Sequence, residues 1–397
     1  MSLGSTAEVA LERKPLLTPT AVSHAAFVPT GIVTVLLGPA LPTLSARWSM
    51  NDAQAGQFFT VQFLASLGGN VLSGMLVQRF GYRVVLLAGL LCMAMGAMGL
   101  PLSAYHWMGV AAVACYGVGL GLVIPTCNLL VAEVNPTRRA AAVSLLNFSW
   151  SVGAVACPFL LAPFQRAGHL NWFFYGLSVF ILLVAASLAR VGLPGAVGDD
   201  RGPSLRAVLK LLRAPAAIAL GALFFVYVGI ENSVGGWLAS YAKRVVDGAG
   251  TMWVTAPSYF YGGLLAGRGL APPLLRRVSE ANVVRACVAI ALLGVAALLG
   301  SGSLAAIFVS ATLIGLGLAV VYPITIALLS SAFGAHATRL GSVMFMLASL
   351  GAAVMPWTVG VTSTMTSSLR VGMSIPLVGC AVLLALYFRD WSKPVSE

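Results

Sequence analysis

Runs of apolar residues broken by short polar clusters recur along nearly the whole 397-residue chain. A helix of roughly 20 such residues crosses about 30 Å of hydrocarbon, so each run predicts a membrane-spanning helix. Twelve runs stand out: 21–45, 54–78, 83–102, 107–134, 139–164, 170–190, 213–240, 252–276, 283–300, 304–333, 339–365 and 370–389. The fold class they predict is an all-α membrane protein with twelve transmembrane helices. The longest polar connection, RVGLPGAVGDDRGPSLRAVLKLLRAP (190–215), falls at the midpoint. It predicts a linker (191–212) between an N-terminal six-helix bundle (21–190) and a C-terminal one (213–389), with tails at 1–20 and 390–397.

The two halves repeat each other. GVGLGLVIPT (117–126) matches GLGLAVVYPI (315–324) at an offset of 198, placing Gly117, Gly119 and Pro125 on Gly315, Gly317 and Pro323. The same offset carries Arg79 to Arg277, Gly153 to Gly351 and Pro158 to Pro356, and Arg139 lies near the mate of Arg339. One offset held across separate helices argues for parallel repeats, a recurring transporter architecture, rather than chance likeness between glycine-rich segments.

Composition sharpens the class. With 59% hydrophobic and 9% charged residues, a soluble core is excluded. The net charge of +12 does not point to nucleic acid, because the basic residues sit between spans. Seventeen of the 23 Lys and Arg fall in the tails and the loops after even-numbered spans, five on the other face, and Arg268 within a span. Short cytoplasmic loops collect positive charge, so both termini are expected in the cytoplasm and the protein in the plasma (inner) membrane. The N-terminal tail lacks a signal-peptide cleavage pattern. All six cysteines lie within spans and read as packing residues. His24, His106, His169 and His336 sit near span ends or in loops, so no metal site is expected. GVGLGL lacks a following Lys-Ser/Thr, which argues against phosphate binding and ATP-driven transport. No organic cofactor is expected. Intramembrane GPALP, VIPT and VYPI mark bends and close helix contacts.

GMLVQRFGYR (74–83) resembles the loop 2–3 signature of the major facilitator superfamily, G-x-x-x-D-R-x-G-x-R/K. Gly74, Arg79, Gly81 and Arg83 match, while Gln78 stands at the acidic position and weakens the usual charge pairing there. EVNPTRRAAAVSLLNFSWSVGAVACPF, YVGIENSVGGWLASYAKR and GGLLAGRGLAPPLLRR resemble, more narrowly, the fucose/glucose-galactose symporter branch and its sodium-glucose-transporter-like relatives. The resemblance implies alternating access, a monomer and a small polar solute. It also implies a cytoplasmic gate of interhelix salt bridges formed by Arg79, Arg83, Glu133, Arg138 and Arg139, with Glu133 accepting from Arg83 or Arg138. A plain basic loop obeying the topology rule is the competing reading of these residues.

Of the 11 acidic residues, Glu231 alone falls near the middle of a span; the others lie in tails, loops or, for Glu133, at a span end. Ionisable groups are expensive there and mark functional sites. Arg268, in the neighbouring antiparallel span 8, lies at a depth within about two helical turns of Glu231. The two are therefore expected to form a buried pair or to share water, and to couple transport to H⁺ or Na⁺; a fixed structural ion pair is the alternative. The repeat mates of Glu231 and Asn232 are Val33 and Thr34, so the charged element belongs to the second half. Gln62, Asn70, Asn128, Asn147, Trp150, Glu231, Asn232, Trp237 and Tyr322 are expected to line a substrate cavity, since amides serve hydroxyl-rich ligands as donor and acceptor and aromatic faces stack on sugar rings. Interhelical glue is the competing role for each amide. The expected function is secondary transport of a small polar solute, most simply a sugar. Transport of an organic anion, export of a drug or lipid, and facilitated diffusion stay open. An enzyme would need a clustered His, Asp or Ser constellation, and the spans hold none.

Overall fold

The computed structural model describes residues 18–195, 214–246, 250–334 and 337–389, with side chains of 337–339 excepted. Residues 1–17, most of the expected linker, the C-terminal tail from 390 and the side chain of Arg339 lie outside the described residues. Among the described residues the secondary structure is helical throughout. The first half comprises α1 (Pro19–Val35), α2 (Leu37–Arg47), α3 (Asp52–Leu102), α4 (His106–Val134), α5 (Arg139–Arg166) and α6 (Leu170–Ala189). The second comprises α7 (Pro215–Val245), a 3₁₀ turn (Met252–Thr255), α8 (Ala256–Leu275), α9 (Glu280–Gly300), α10 (Leu304–Leu318), α11 (Val321–Phe333), α12 (Ala337–Thr366), α13 (Leu369–Gly372) and α14 (Ser374–Tyr387).

Local chemistry explains the boundaries. Asn51 and Gln54 form a capping box at the start of α3: Gln54 N donates to Asn51 Oδ1 at 2.8 Å and Asn51 N to Gln54 Oε1 at 3.1 Å. The 51 residues of α3 contain two expected spans, parted at Gly81, whose φ of 76° and ψ of 169° suit only glycine. Three other breaks each lie a turn before a proline, which lacks an N–H for the carbonyl four residues back and clashes with it. Pro39 accounts for the break after Val35, where α1 and α2 bend by 45°. Pro323 accounts for the parting of α10 and α11 at Ala319, and Pro376 for the end of α13 at Gly372. Spans 1, 10 and 12, expected as single runs, are therefore each interrupted.

Nine helices among the described residues are long and apolar enough to cross a membrane, and the bent α1–α2 pair makes a tenth. The helix α3 counts once there although Gly81 divides it. The helix α8, which carries Arg268 and the pair Pro272–Pro273, is absent from that set. It contacts α10, α5 and α7, so neighbouring helices cover much of a segment that is too polar to face lipid on every side.

The offset of 198 governs packing as well as sequence. A Cβ on Gly117 would strike the carbonyl oxygen of Gln62, and one on Gly315 the carbonyl oxygen of Phe260. Gly119 meets Gly89 and Met93, while Gly317 meets Cys287 and Ala291, each pair exactly one repeat apart. Gly153 lies on the Val28 carbonyl and Gly351 on that of Phe225, one residue off register. Accordingly α1 packs on α5 as α7 packs on α12, and α3 on α4 as α8 and α9 pack on α10.

These contacts generate a paired prediction. Gly315→Ala forces a methyl into the Phe260 carbonyl and is expected to cost about 1–3 kcal/mol, read as a drop of several degrees in the unfolding temperature of the detergent-solubilised protein. Gly262→Ala, on the partner helix α8 but with nothing within 4 Å of the added carbon, is expected to leave that temperature unchanged or slightly raised.

Candidate functional site

The helix α7 carries Glu231 and Asn232 near its middle, both half-buried. Asn232 Nδ2 donates to its own helix, at Val228 O, 2.8 Å away. On α8, Arg268 is also half-buried, and its Nη1 lies 3.5 Å from Ser151 Oγ on α5. A direct Glu231–Arg268 ion pair does not form: among the described residues the ion pair present is Arg244–Asp52. Instead both charged groups lie close enough to the Tyr227 hydroxyl to interact with it. Glu231 also acts on Tyr261, and both Glu231 and Arg268 act on Tyr322. The two charges thus act on one phenol, that of Tyr227 one turn before Glu231, without forming an ion pair with each other.

Aromatic packing fixes that phenol. The Tyr227 ring lies 6.0 Å from that of Tyr322, which in turn stands 5.9 Å from Phe224 and 6.4 Å from Phe345. Of the residues expected to line a cavity, Asn128, Asn147, Trp150, Glu231, Asn232 and Tyr322 are half-buried or exposed. Asn147 Nδ2 donates to Asn128 Oδ1 at 3.1 Å, joining α5 to α4 and leaving polar capacity on both amides. Trp150 Nε1 reaches Thr34 Oγ1 at 3.3 Å.

Two residues take a different role from the one expected. Gln62 is fully buried and bonded within the first half: its Nε2 donates to Thr34 O at 2.9 Å and its Oε1 accepts from Tyr116 Oη at 2.8 Å. Trp237 is likewise fully buried, donating from Nε1 to Pro356 O at 2.8 Å and so fastening α7 to α12. In this structure both fasten neighbouring helices, Gln62 from α3 to α1 and α4 and Trp237 from α7 to α12. Asn70 is exposed, about 12 Å along α3 from Gln62.

The expected cytoplasmic gate is arranged differently too. Glu133 accepts from Tyr82 Oη at 2.5 Å, not from Arg83 or Arg138. Arg83 Nη2 donates to Val191 O at 2.5 Å, Arg79 lies over the Phe80 ring at 5.3 Å, and Arg138 and Arg139 are exposed. At the opposite ends of the helices, Asp52 at the start of α3 receives both guanidinium nitrogens of Arg244, Nη1 at 2.7 Å and Nη2 at 2.5 Å, plus Ser363 Oγ at 2.5 Å. A bidentate Arg–carboxylate pair is among the stronger polar contacts, and this one ties the first half to α7 and α12. Thr60 Oγ1 to Ala353 O (2.8 Å), Ala53 N to Thr364 Oγ1 (2.9 Å) and Ser258 Oγ to Val155 O (2.8 Å) join the halves as well. Sequence inspection assigned Asp52 and Arg244 to loops as ordinary charges; they are 192 positions apart, and no periodic signal links them.

If this latch holds the two halves together at that end, Arg244→Ala should raise modification by a membrane-impermeant maleimide of a cysteine placed at Phe59, which is buried against Trp237 across the junction. The expected rise is roughly tenfold in rate, the effect of about 1.4 kcal/mol on a two-state equilibrium, measured against the parent with its native cysteines.

With this geometry in hand, comparison with known proteins is informative. The Major Facilitator Superfamily model matches residues 25–356. A Glucose/galactose transporter of Brucella abortus (strain 9-941) is 25% identical over 387 residues, covering 91% of each chain. The mouse Sodium-dependent glucose transporter 1A is 24% identical over 62% of this chain and 67% of its own; other sodium-dependent glucose transporters are matched over 29 to 54% of their length. The crystal structure of a D-xylose-proton symporter superposes with a TM-score of 0.77 over 95% of this chain and 97% of that one, at 17% identity, a likeness of fold alone. Apolar helices, glycine-packed repeats and a family match over most of the chain converge: this multi-pass membrane protein, which is not an enzyme, belongs to the major facilitator superfamily.

Proposed function

We propose that the chain is a secondary transporter of a sugar, with twelve crossing helices in two six-helix halves and both termini in the cytoplasm. In this reading Glu231 is the coupling carboxylate, for H⁺ or Na⁺, and the protein works as a monomer in the plasma membrane without an organic cofactor. The observation that carries it is the placement of Glu231, unpaired and half-buried, beside the junction of the halves, in a chain whose relatives include a glucose/galactose transporter. An intramembrane carboxylate without a salt-bridge partner can change its bound ion at modest cost, whereas one locked to an arginine cannot. The basic ends of the helices then face the cytoplasm, the Asp52–Arg244 latch faces outward, and the arrangement corresponds to an inward-facing state of alternating access. Asn128, Asn147, Asn232, Trp150 and Tyr322 supply amide and aromatic contacts suited to a hydroxylated ring.

A second reading rests on Arg268, which has Ser151 as its hydrogen-bonding partner and no carboxylate in direct contact. Such a guanidinium would also serve an organic anion. Proteoliposomes offered radiolabelled glucose, galactose and organic acids under an imposed pH or Na⁺ gradient separate the two. Sugar uptake that follows one of the gradients is expected, and uptake of an acid without any sugar would sink the sugar assignment. Glu231→Gln is expected to abolish gradient-driven accumulation, a loss of at least about tenfold, while sparing counterflow exchange; retention of accumulation would remove Glu231 from the coupling role.

A further inference from the structure

The Tyr227 hydroxyl is buried, with 2% of the residue exposed, and has no hydrogen-bond partner. Buried polar groups of this kind are rare, and each asks for an explanation. Its surroundings supply one. The hydroxyl lies within range of both Glu231 and Arg268, yet neither is aligned to bond with it. A phenol can donate one hydrogen bond and accept others, so it can serve a carboxylate and a guanidinium in turn. The ring cannot wander, since Phe224 and Tyr322 pack with it on α7 and α11.

We propose that Tyr227 is a positioning residue that alternates between the two charges, donating to Glu231 while that carboxylate is ionised and accepting from Arg268 once Glu231 has taken up a proton. The orphaned hydroxyl of this structure is then the point midway between those two bonds. This inference rests on the reading of Glu231 as a titrating group and adds the residue that holds its charge state. The titratable and charged groups that face the cluster are Arg268 and Tyr261 from α8 and Tyr322 from α11. Cys157 from α5 lies near Tyr261. From α12, Phe345 packs on Tyr322 and carries no titratable group. Tyr322 also interacts with both charges but is half-exposed, so water can satisfy its hydroxyl. Tyr227 has no such recourse.

The test reads Glu231 directly and needs no identified solute. Infrared difference spectra of the reconstituted full chain are recorded across a pH titration, and the carboxyl band lost in Glu231→Gln is followed. Tyr227→Phe keeps the ring and removes the donor; because Arg268 retains Ser151 as a partner while the ionised carboxylate loses its donor, the midpoint of that band is expected to move upward by about one pH unit, a tenfold gain in proton affinity. Difluorotyrosine at 227, a stronger donor of nearly the same shape, is expected to move it downward and serves where the phenylalanine variant folds poorly. Midpoints that coincide with that of the parent, or a Glu231 band that does not titrate, would overturn the proposal. Accumulation retained in Glu231→Gln, with a midpoint that still follows Tyr227, would leave the positioning role standing and remove the coupling role instead.

Discussion

Glycine set against a backbone carbonyl of the next helix is the contact on which the packing depends. In a membrane, lipid tails are as apolar as leucine, so helices gain little from burying leucine against each other and associate where small residues let backbones approach. Gly117 on Gln62, Gly315 on Phe260, Gly119 on Gly89 and Gly317 on Cys287 are four instances of one contact used twice. They fix which helix lies beside which within each half of the chain. They also account for glycine at these helical positions: each sits where a side chain would collide, and a neighbouring helix holds it in place.

On this symmetric scaffold the polar groups are distributed asymmetrically. At the positions of Val33 and Thr34 the first half offers a backbone carbonyl to Gln62 and a hydroxyl to Trp150, closing a network that is already satisfied. The repeat mates Glu231 and Asn232 have no such closure, and the nearby Tyr227 hydroxyl is left without a bond. Buried polar atoms without a bond occur in both halves, His106 Nε2 and Thr126 Oγ1 in the first and Tyr227 Oη and Ser233 Oγ in the second, but the unfinished site at Tyr227 is the one beside two intramembrane charges. A low-dielectric interior penalises the unfinished kind, which is tolerable where a solute, an ion or a second conformation completes it.

The links between the halves are of a different kind. Asp52 with Arg244 and Ser363, Thr60 with Ala353, and Ser258 with Val155 are side-chain bonds, which can be broken and remade without unpacking a helix. Gly38 against Gly235 and Gly360 against Asp52 add close approaches at the same junction. Directional bonds at one end of a junction give a contact with two discrete arrangements, the condition for a rocking motion.

The sequence alone determined the helical membrane class, the repeat, the points where helices break and the singular position of Glu231. Each of these follows from local rules: the length of an apolar run, the missing N–H of Pro39 or Pro323, the positive φ open to Gly81, and the cost of a charge within a span. Tertiary structure alone decided partners. Gln62 and Trp237 look like cavity residues by polarity and depth, but which face of a helix meets a neighbour is a property of packing, and packing turned both inward. Glu231 and Arg268 lie at similar depths, yet depth leaves azimuth open, and the two form no ion pair although both act on Tyr227. Asp52 and Arg244 look like unrelated loop charges until folding brings together ends that are 192 residues apart. Pairing across such distances depends on how whole helices are placed, and no local rule in the chain encodes it.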